Sequence, residues 1–433
     1  MNRRPIQNEG SPVRVKRAER NQVEIRMASL NELISPDHRV RQVWAFVEGL
    51  DLSPLYREIK AVDGHVGRDA VDPKILMALW LFATIDGVSS ARSLARHCER
   101  DLAYLWICGG VSVNYHLLAD FRTGHGEFLD ELLTDSIATL LHRQIVKLDA
   151  VAQDGMRVRA HAGSGSFRRE PTLQEYRREA AEHVKKLREA TDDETRTEPT
   201  PPRQKAARER AARERLERVE QALQDLEELK TQKEARKKGT GGEARVSTTD
   251  PEARKMKMAN GGFSPAYNVQ FATDVESRMI VSVDVSNNGG DGGQMSPRHD
   301  DIHQRYGKYP EAYLVDGGFT TGDDITELAR RGTQVFGPIP RAGEMEKRGS
   351  DPHERKKCDT DEMFAFRQRM KTEEAKTLYR QRPSTAEFPN AECRNRGLQQ
   401  FLVRGLQKVK AVATWYALTF NLMRMMTLGC LKF

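Results

Sequence analysis

Three short stretches carry residue types that could do chemistry together. Asp154 lies in Val151-Ala152-Gln153-Asp154-Gly155-Met156-Arg157-Val158-Arg159, a strand-like run in which a turn-forming Asp-Gly is not obviously needed. Asp316 follows the apolar Ala312-Tyr313-Leu314-Val315 and precedes Gly317-Gly318-Phe319. A carboxylate at the carboxyl end of a buried strand, followed by glycines, stands where open α/β sheets place ligands. The chain holds 63 acidic residues, so either aspartate taken alone is also explained as the cap of a turn. The third stretch, Tyr379 to Arg394, combines Tyr379, Arg382, Glu387 and Arg394. Glu387 and Arg394 are seven residues apart, so on a helix they share a face to within about 20°. That face offers a carboxylate for a metal and a guanidinium for a phosphate. Glu392 points roughly 140° away from Glu387, and the two cannot serve one ion. With Thr385 as N-cap, Pro389 falls at the end of the first turn, and Glu387 sits where the helix dipole favours its ionised form.

These groups need a sheet and a helix to hold them. Val146 to Ala162 alternates and reads as a strand; Asn268 to Phe271 and Ile280 to Val285 read as a hairpin turning at Glu276-Ser277-Arg278. Ala312 to Val315 reads as a short buried strand, followed by a helix near Asp324 to Arg331, a strand at Gln334 to Pro338, and a helical region from about Thr385 to Leu428. The sum is a mixed sheet flanked by helices, of α+β or α/β class. Between Phe167 and Gly239, apolar residues recur at a 3-4 spacing in two runs separated by Thr197-Glu198-Pro199-Thr200-Pro201-Pro202. This is the pattern of a helical hairpin with a charged exterior. Upstream, Ser35 to Arg143 is helical: one helix opens at Pro73 and ends near Gly87, and a second is capped by Ser89-Ser90. A third runs from His116 to Leu141, and Leu102 to Ala119 suits a loop. Short helices joined by such turns are how helix-turn-helix DNA readers look, and equally how a plain helical bundle looks.

A formal net charge of +7 fits a nucleic-acid partner without proving one. Cys98, Cys108, Cys358, Cys393 and Cys430 are dispersed with no C-x-x-C pair, which points to a reducing cytoplasm and away from a disulfide frame or structural zinc. The N-terminus lacks the apolar core of a signal peptide. The apolar run between Lys410 and Arg424 falls short of the ~20 residues a membrane span needs. None of the eleven histidines sits persuasively for general-base work, His161 coming nearest.

Taken together, these motifs resemble the DDE transposases of bacterial insertion sequences, in the branch marked by a Y-x2-R…E-x6-K signature. Tyr379, Arg382 and Glu387 match its first three positions, with Arg394 where the family usually has lysine. Asp154-Gly155-Met156-Arg157-Val158-Arg159-Ala160 looks like the family's first catalytic strand, Ala266-Tyr267-Asn268-Val269-Gln270 like its G-Y-N-V-Q hairpin, and Val315-Asp316-Gly317-Gly318-Phe319 like its D-x-G-Y turn. Asp37-His38-Arg39-Val40-Arg41, Asp72-Pro73, Gly87 to Arg92 and Asp120-Phe121-Arg122 look like its N-terminal helical domain. The resemblance implies a ribonuclease H-like domain over 145–430, interrupted by a helical hairpin at 167–240. It further implies a helical DNA-binding domain over 28–144, and residues 1–27, polar, basic and aperiodic, read as a disordered arm. Asp154, Asp316 and Glu387 are then the metal ligands for Mg²⁺, with Mn²⁺ as a possible substitute. Tyr379, Arg382 and Arg394, with Arg92, Arg96 and Arg122, are the expected DNA contacts. The expected partners are terminal inverted repeats and target DNA, bound by a homodimer or larger assembly in the cytoplasm at the nucleoid. Alternatives are a nuclease of the same fold that does not join strands, and a decayed or domesticated DNA-binding copy.

Overall fold

The computed structural model describes residue 21 and residues 27–61, 69–192 and 202–431, so the expected arm over 1–27 lies almost wholly outside the described residues. The strands are β1 (Ala150–Arg159), β2 (Phe167–Arg168), β3 (Val246–Ser247), β4 (Arg254–Lys257), β5 (Phe263–Asp274), β6 (Ile280–Ser286), β7 (Ala312–Leu314) and β8 (Gln334–Phe336). β1 pairs antiparallel with β5 on one side and parallel with β7 on the other, and β7 pairs parallel with β8. The free edge of β5 is shared by β4 near its start and β6 farther along, both antiparallel. A mixed curled sheet flanked by helices, preceded by a helical region, is the ribonuclease H-like α+β arrangement expected from the sequence.

The hairpin β5–β6 turns where Glu276-Ser277-Arg278 was expected to turn it. Asp274 holds that turn by accepting from both the backbone and the hydroxyl of Ser277, at 2.8 and 2.6 Å. Upstream, the helix Pro73–Ile85 is capped by the Asp72 side chain, with proline in its first turn, and is buried almost all round. The helix Ala91–Arg100 begins at the cap Ser90 and buries Leu94 and Cys98.

Three expectations about elements are corrected. Leu102–Cys108 is a helix, capped by the Asp101 side chain and ended by Gly109 in the left-handed region (φ 55°), where a loop was expected. The single helix expected from His116 to Leu141 is two, Tyr115–Gly124 and Gly126–His142, breaking at His125. The final helical region is also interrupted. A wide π turn, Pro383–Glu387, leads into the helix Phe388–Asn395. Gly397 (φ 96°) and Gly405 (φ 86°) then break the chain before the helix Leu406–Leu428.

One hydrophobic core runs from Ile34 through the N-terminal helices and the sheet to the last helix. The insertion forms helices Glu170–Asp192 and Pro202–Arg236, rooted on the small β2–β3 ribbon. Of the break expected at Thr197 to Pro202, all but Pro202 lies outside the described residues, and Pro202 opens the second helix. Leu173, Ala222, Leu226, Ala244 and Val246 form a separate small core there. Among the described residues, no helix is long and apolar enough to cross a membrane.

Candidate active site

Asp154 sits mid-way along β1, opposite Phe271 of β5. Asp316 stands two residues past the end of β7, which runs parallel to β1, so both carboxylates reach the same end of adjoining strands. The turn after Asp316 is closed by its own side chain, whose Oδ1 accepts from the Gly318 backbone at 2.7 Å. Glu387 ends the π turn. Its residues do not follow the register that a helix capped at Thr385 would give: Thr385 is buried, its hydroxyl donates to the Gln381 carbonyl, and Glu387 itself precedes the α-helical segment. Pro389 falls at the start of that segment, where a proline costs little.

Arg382 joins the three. Its guanidinium is almost fully buried and lies 3.0 Å from Asp154 Oδ1, 3.0 Å from Glu387 Oε1 and 3.8 Å from Asp316 Oδ2. Asn390, one helical turn beyond Glu387, donates to the other Asp154 oxygen at 2.8 Å. Burial pushes the Asp154 carboxyl up to about 6, against the lowering pull of Arg382 and Asn390 and with a further upward push from Asp316. Tyr379 ends the helix Glu373–Tyr379 beside this cluster. Burial raises its hydroxyl above the ordinary value; Arg382 opposes this, and Asp316, Glu387 and Asp154 add to it. Glu392 turns away and pairs with Arg396 at 3.2 Å.

Among the described residues, no three histidine, cysteine, aspartate or glutamate side chains are drawn together tightly enough to hold a metal ion as they stand. In this triad a guanidinium lies between the carboxylates. The donor set nonetheless fits a hard divalent cation: three carboxylates from three elements already turn their oxygens to one positive charge.

Arg394 is exposed on the helix after Glu387. With Gly155, Arg157 and Arg159 it lines a groove of about 370 Å³. Arg92 and Arg96 are exposed at a four-residue step on the helix Ala91–Arg100, and Arg92 lies over the Tyr115 ring. Arg122 is corrected. It is buried over the Trp80 ring, donates to the Ser89 carbonyl at 2.5 Å, and is not on a surface that DNA can reach. Its neighbours are the core helices, because the segment around it packs beneath the last helix. His161 lines a different groove, with Asp120, Arg218 and Arg404. Asp300 pairs with Arg331, and Asp301 with Arg298 and Arg305, so neither approaches the triad.

One residue at the site was not foreseen, and another was expected only as an alternative ligand. Asn390 was findable, since it stands three positions after Glu387 and shares its side of a helix. Asp291, which with Asp300 and Asp301 the sequence offers only as a less well placed replacement ligand in a Gly-rich stretch, lies in the loop after β6 and reaches Gly155 and Gly318.

Comparison with known families gives two matches. Residues 28–124 match the family described as Transposase domain (DUF772), and residues 227–422 match the one described as Transposase DDE domain. Neither a curated protein nor a solved structure matches the chain significantly.

Proposed function

The chain belongs to the insertion-sequence DDE transposases, and on that premise we propose that it cleaves DNA at its element's ends and joins the freed strand to target DNA at Asp154, Asp316 and Glu387. The observation that carries this reading is the convergence of three carboxylates, from a strand, a loop turn and the π turn, on the Arg382 guanidinium. Asp154, Asp316 and Glu387 are the residues that would hold Mg²⁺, or Mn²⁺ in its place, which when bound supplies the Lewis acidity that activates an attacking oxygen and steadies a leaving one.

In cleavage, a water oxygen attacks the scissile phosphorus; the bond to the 3′ oxygen breaks, and that oxygen leaves as a free 3′ hydroxyl. In joining, the same hydroxyl attacks a target phosphodiester and expels its 3′ oxygen in turn. The chain's own groups serve both steps. Arg382, once released from its carboxylates, presents a planar fork to the phosphate. Tyr379 stacks on or bonds to the flanking strand at the edge of the cluster. Arg394, with Arg157 and Arg159 beside it, clamps the strand in the groove next to Gly155. Arg92 and Arg96 supply phosphate contacts to the terminal inverted repeats. The assembly is a homodimer or larger on DNA, in the cytoplasm at the nucleoid.

Mg²⁺-dependent cleavage of a duplex carrying the element's ends tests the assignment. Asp154→Ala, Asp316→Ala and Glu387→Gln each abolish cleavage while end binding survives, and Glu392→Gln retains it. Activity in any of the first three removes that residue from the triad. Loss in Glu392→Gln with survival of Glu387→Gln overturns the choice of third ligand.

A further inference from the structure

Asp291 lies in the loop between β6 and the helix Met295–Tyr306. Only 14% of its side chain is exposed. Its Oδ1 accepts from the Asn268 amide at 2.7 Å and from the Gln270 amide at 2.9 Å, both on β5. Its Oδ2 stands 3.5 Å from an Arg157 Nη2 on β1. A carboxylate accepting from two amides is held more firmly than a neutral acceptor would be. The loop around it is tied down as well. Asp324 accepts from the backbone of Gly293 at 3.0 Å and from the Ser296 hydroxyl at 2.9 Å, while also bonding the Thr321 hydroxyl at 2.7 Å.

What Asp291 touches is the backbone on which the triad aspartates stand. A Cβ on Gly155, the residue after Asp154, would lie 2.3 Å from Asp291 Oδ1 and 2.6 Å from Gln270 Nε2. A Cβ on Gly318, two residues after Asp316, would lie 3.5 Å from Asp291 Oδ2 and 3.0 Å from Asp316 Oδ1. Glycine is therefore required at 155 for a reason unrelated to turning: β1 is extended there, and the space belongs to the Asp291 carboxylate. β7 is only three residues long, so the turn that carries Asp316 has little sheet to steady it.

We propose that Asp291 is a positioning residue for the reaction, wedged against Gly155 and Gly318 so that the Asp316 turn is fixed against β1 and Asp154. The proposal rests on the reading of Asp154 and Asp316 as partners at one site. Displacing a reacting group by about 1 Å costs on the order of 100-fold in rate. Asp291→Ala in the full-length protein should therefore lower the cleavage kcat roughly 10- to 100-fold at saturating Mg²⁺, with the KM for end DNA unchanged. It should also speed hydrogen exchange at the Gly318 and Phe319 amides in the DNA-free protein. Asp291→Asn keeps an oxygen for Asn268 and Gln270, and should hold both cleavage and exchange near wild type. The proposal is overturned if Asp291→Ala leaves exchange and kcat unchanged, or if Asp291→Asn is as impaired as Asp291→Ala, which would mean the charge acts directly. Should the wild-type protein fail to cleave, the functional reading falls, and Asp291 stands or falls on the exchange measurement.

Discussion

Asp154 is held in a state that opposes its own ionisation, and this has a consequence for stability as well as for chemistry. Its carboxyl titrates at about 6 in the fold, above the ordinary 3.8, because burial outweighs Arg382 and Asn390. The ionised form is thus a cost to the metal-free fold, full above pH about 6 and fading as pH falls toward 3.8. Replacing the carboxylate by its neutral isostere removes that cost. Asn390 can accommodate the change by flipping its amide, since its own Oδ1 is buried without a partner. Asp154→Asn should therefore raise Tm at pH 7.5 by roughly 2 °C in metal-free buffer while abolishing cleavage, and the gain should vanish near pH 4. A lower Tm at pH 7.5 would mean that Arg382 depends on the Asp154 charge more than burial opposes it. Residue types and spacing raised Asp154, Asp316 and Glu387 as candidates and the family resemblance made them a set, although Glu387 ends a π turn and not the helix its spacing suggested. The Arg382 bridge and the contacts of Asp291, which the sequence offered only as a replacement ligand, have no local signature: each joins residues far apart in the chain.

At the scale of elements, strands were readable where alternation or an unbroken apolar run met a turn signal, as at β1, β7 and the β5–β6 hairpin. The errors fell where one polar or small residue decides a boundary. Asp101 caps a helix in a stretch whose glycines and Asn114 suggested a loop. Gly397 follows one helix and Gly405 caps the start of the next, in chain that periodicity would have continued as one helix. The π turn at Pro383–Glu387 could not be read from a 3.6-residue period, and it is this turn that brings Glu387 and Arg382 to face each other at 3.0 Å. The insertion is the reverse case, legible because its apolar seam is regular. Its core is separate from the main one; the Asp225–Arg254 pair at 3.3 Å links its second helix to β4, and Lys255 of β4 lies over the ring of Phe167 at the hairpin's root. Replacing the hairpin between Phe167 and Gly239 by a short linker should leave the sheet folded, with Tm shifted by roughly 2–4 °C, because loop closure changes slowly with length. Insolubility of that deletion, or loss of a cooperative melt, would show that the seam belongs to the main core.

For the molecule as a whole, the helix Leu406–Leu428 decides how separable its parts are. It packs against Pro73–Ile85, Tyr115–Gly124 and Gly126–His142 on one side and against β6 on the other. The Trp415 indole donates to the Arg122 carbonyl at 3.0 Å, and Asn421 exchanges two bonds of 2.8 Å with the Ile280 backbone. A fragment ending near Arg143, which the sequence alone leaves open between a DNA reader and a plain helical bundle, lacks the last helix, whose Trp415 packs on Phe121. Such a fragment should melt without cooperativity, whereas the same fragment joined by a flexible linker to residues 406–428 should melt cooperatively and bind repeat DNA with an affinity that falls steeply with salt. A cooperative melt of the bare fragment would refute this. The placement also sets an order in time. The N-terminal helices leave the ribosome early, yet their core closes only when the far end of the chain follows, roughly 15–60 s later at about 5–20 residues per second. A product that stops short of Leu406 is then a chain whose N-terminal helices never acquired their cover.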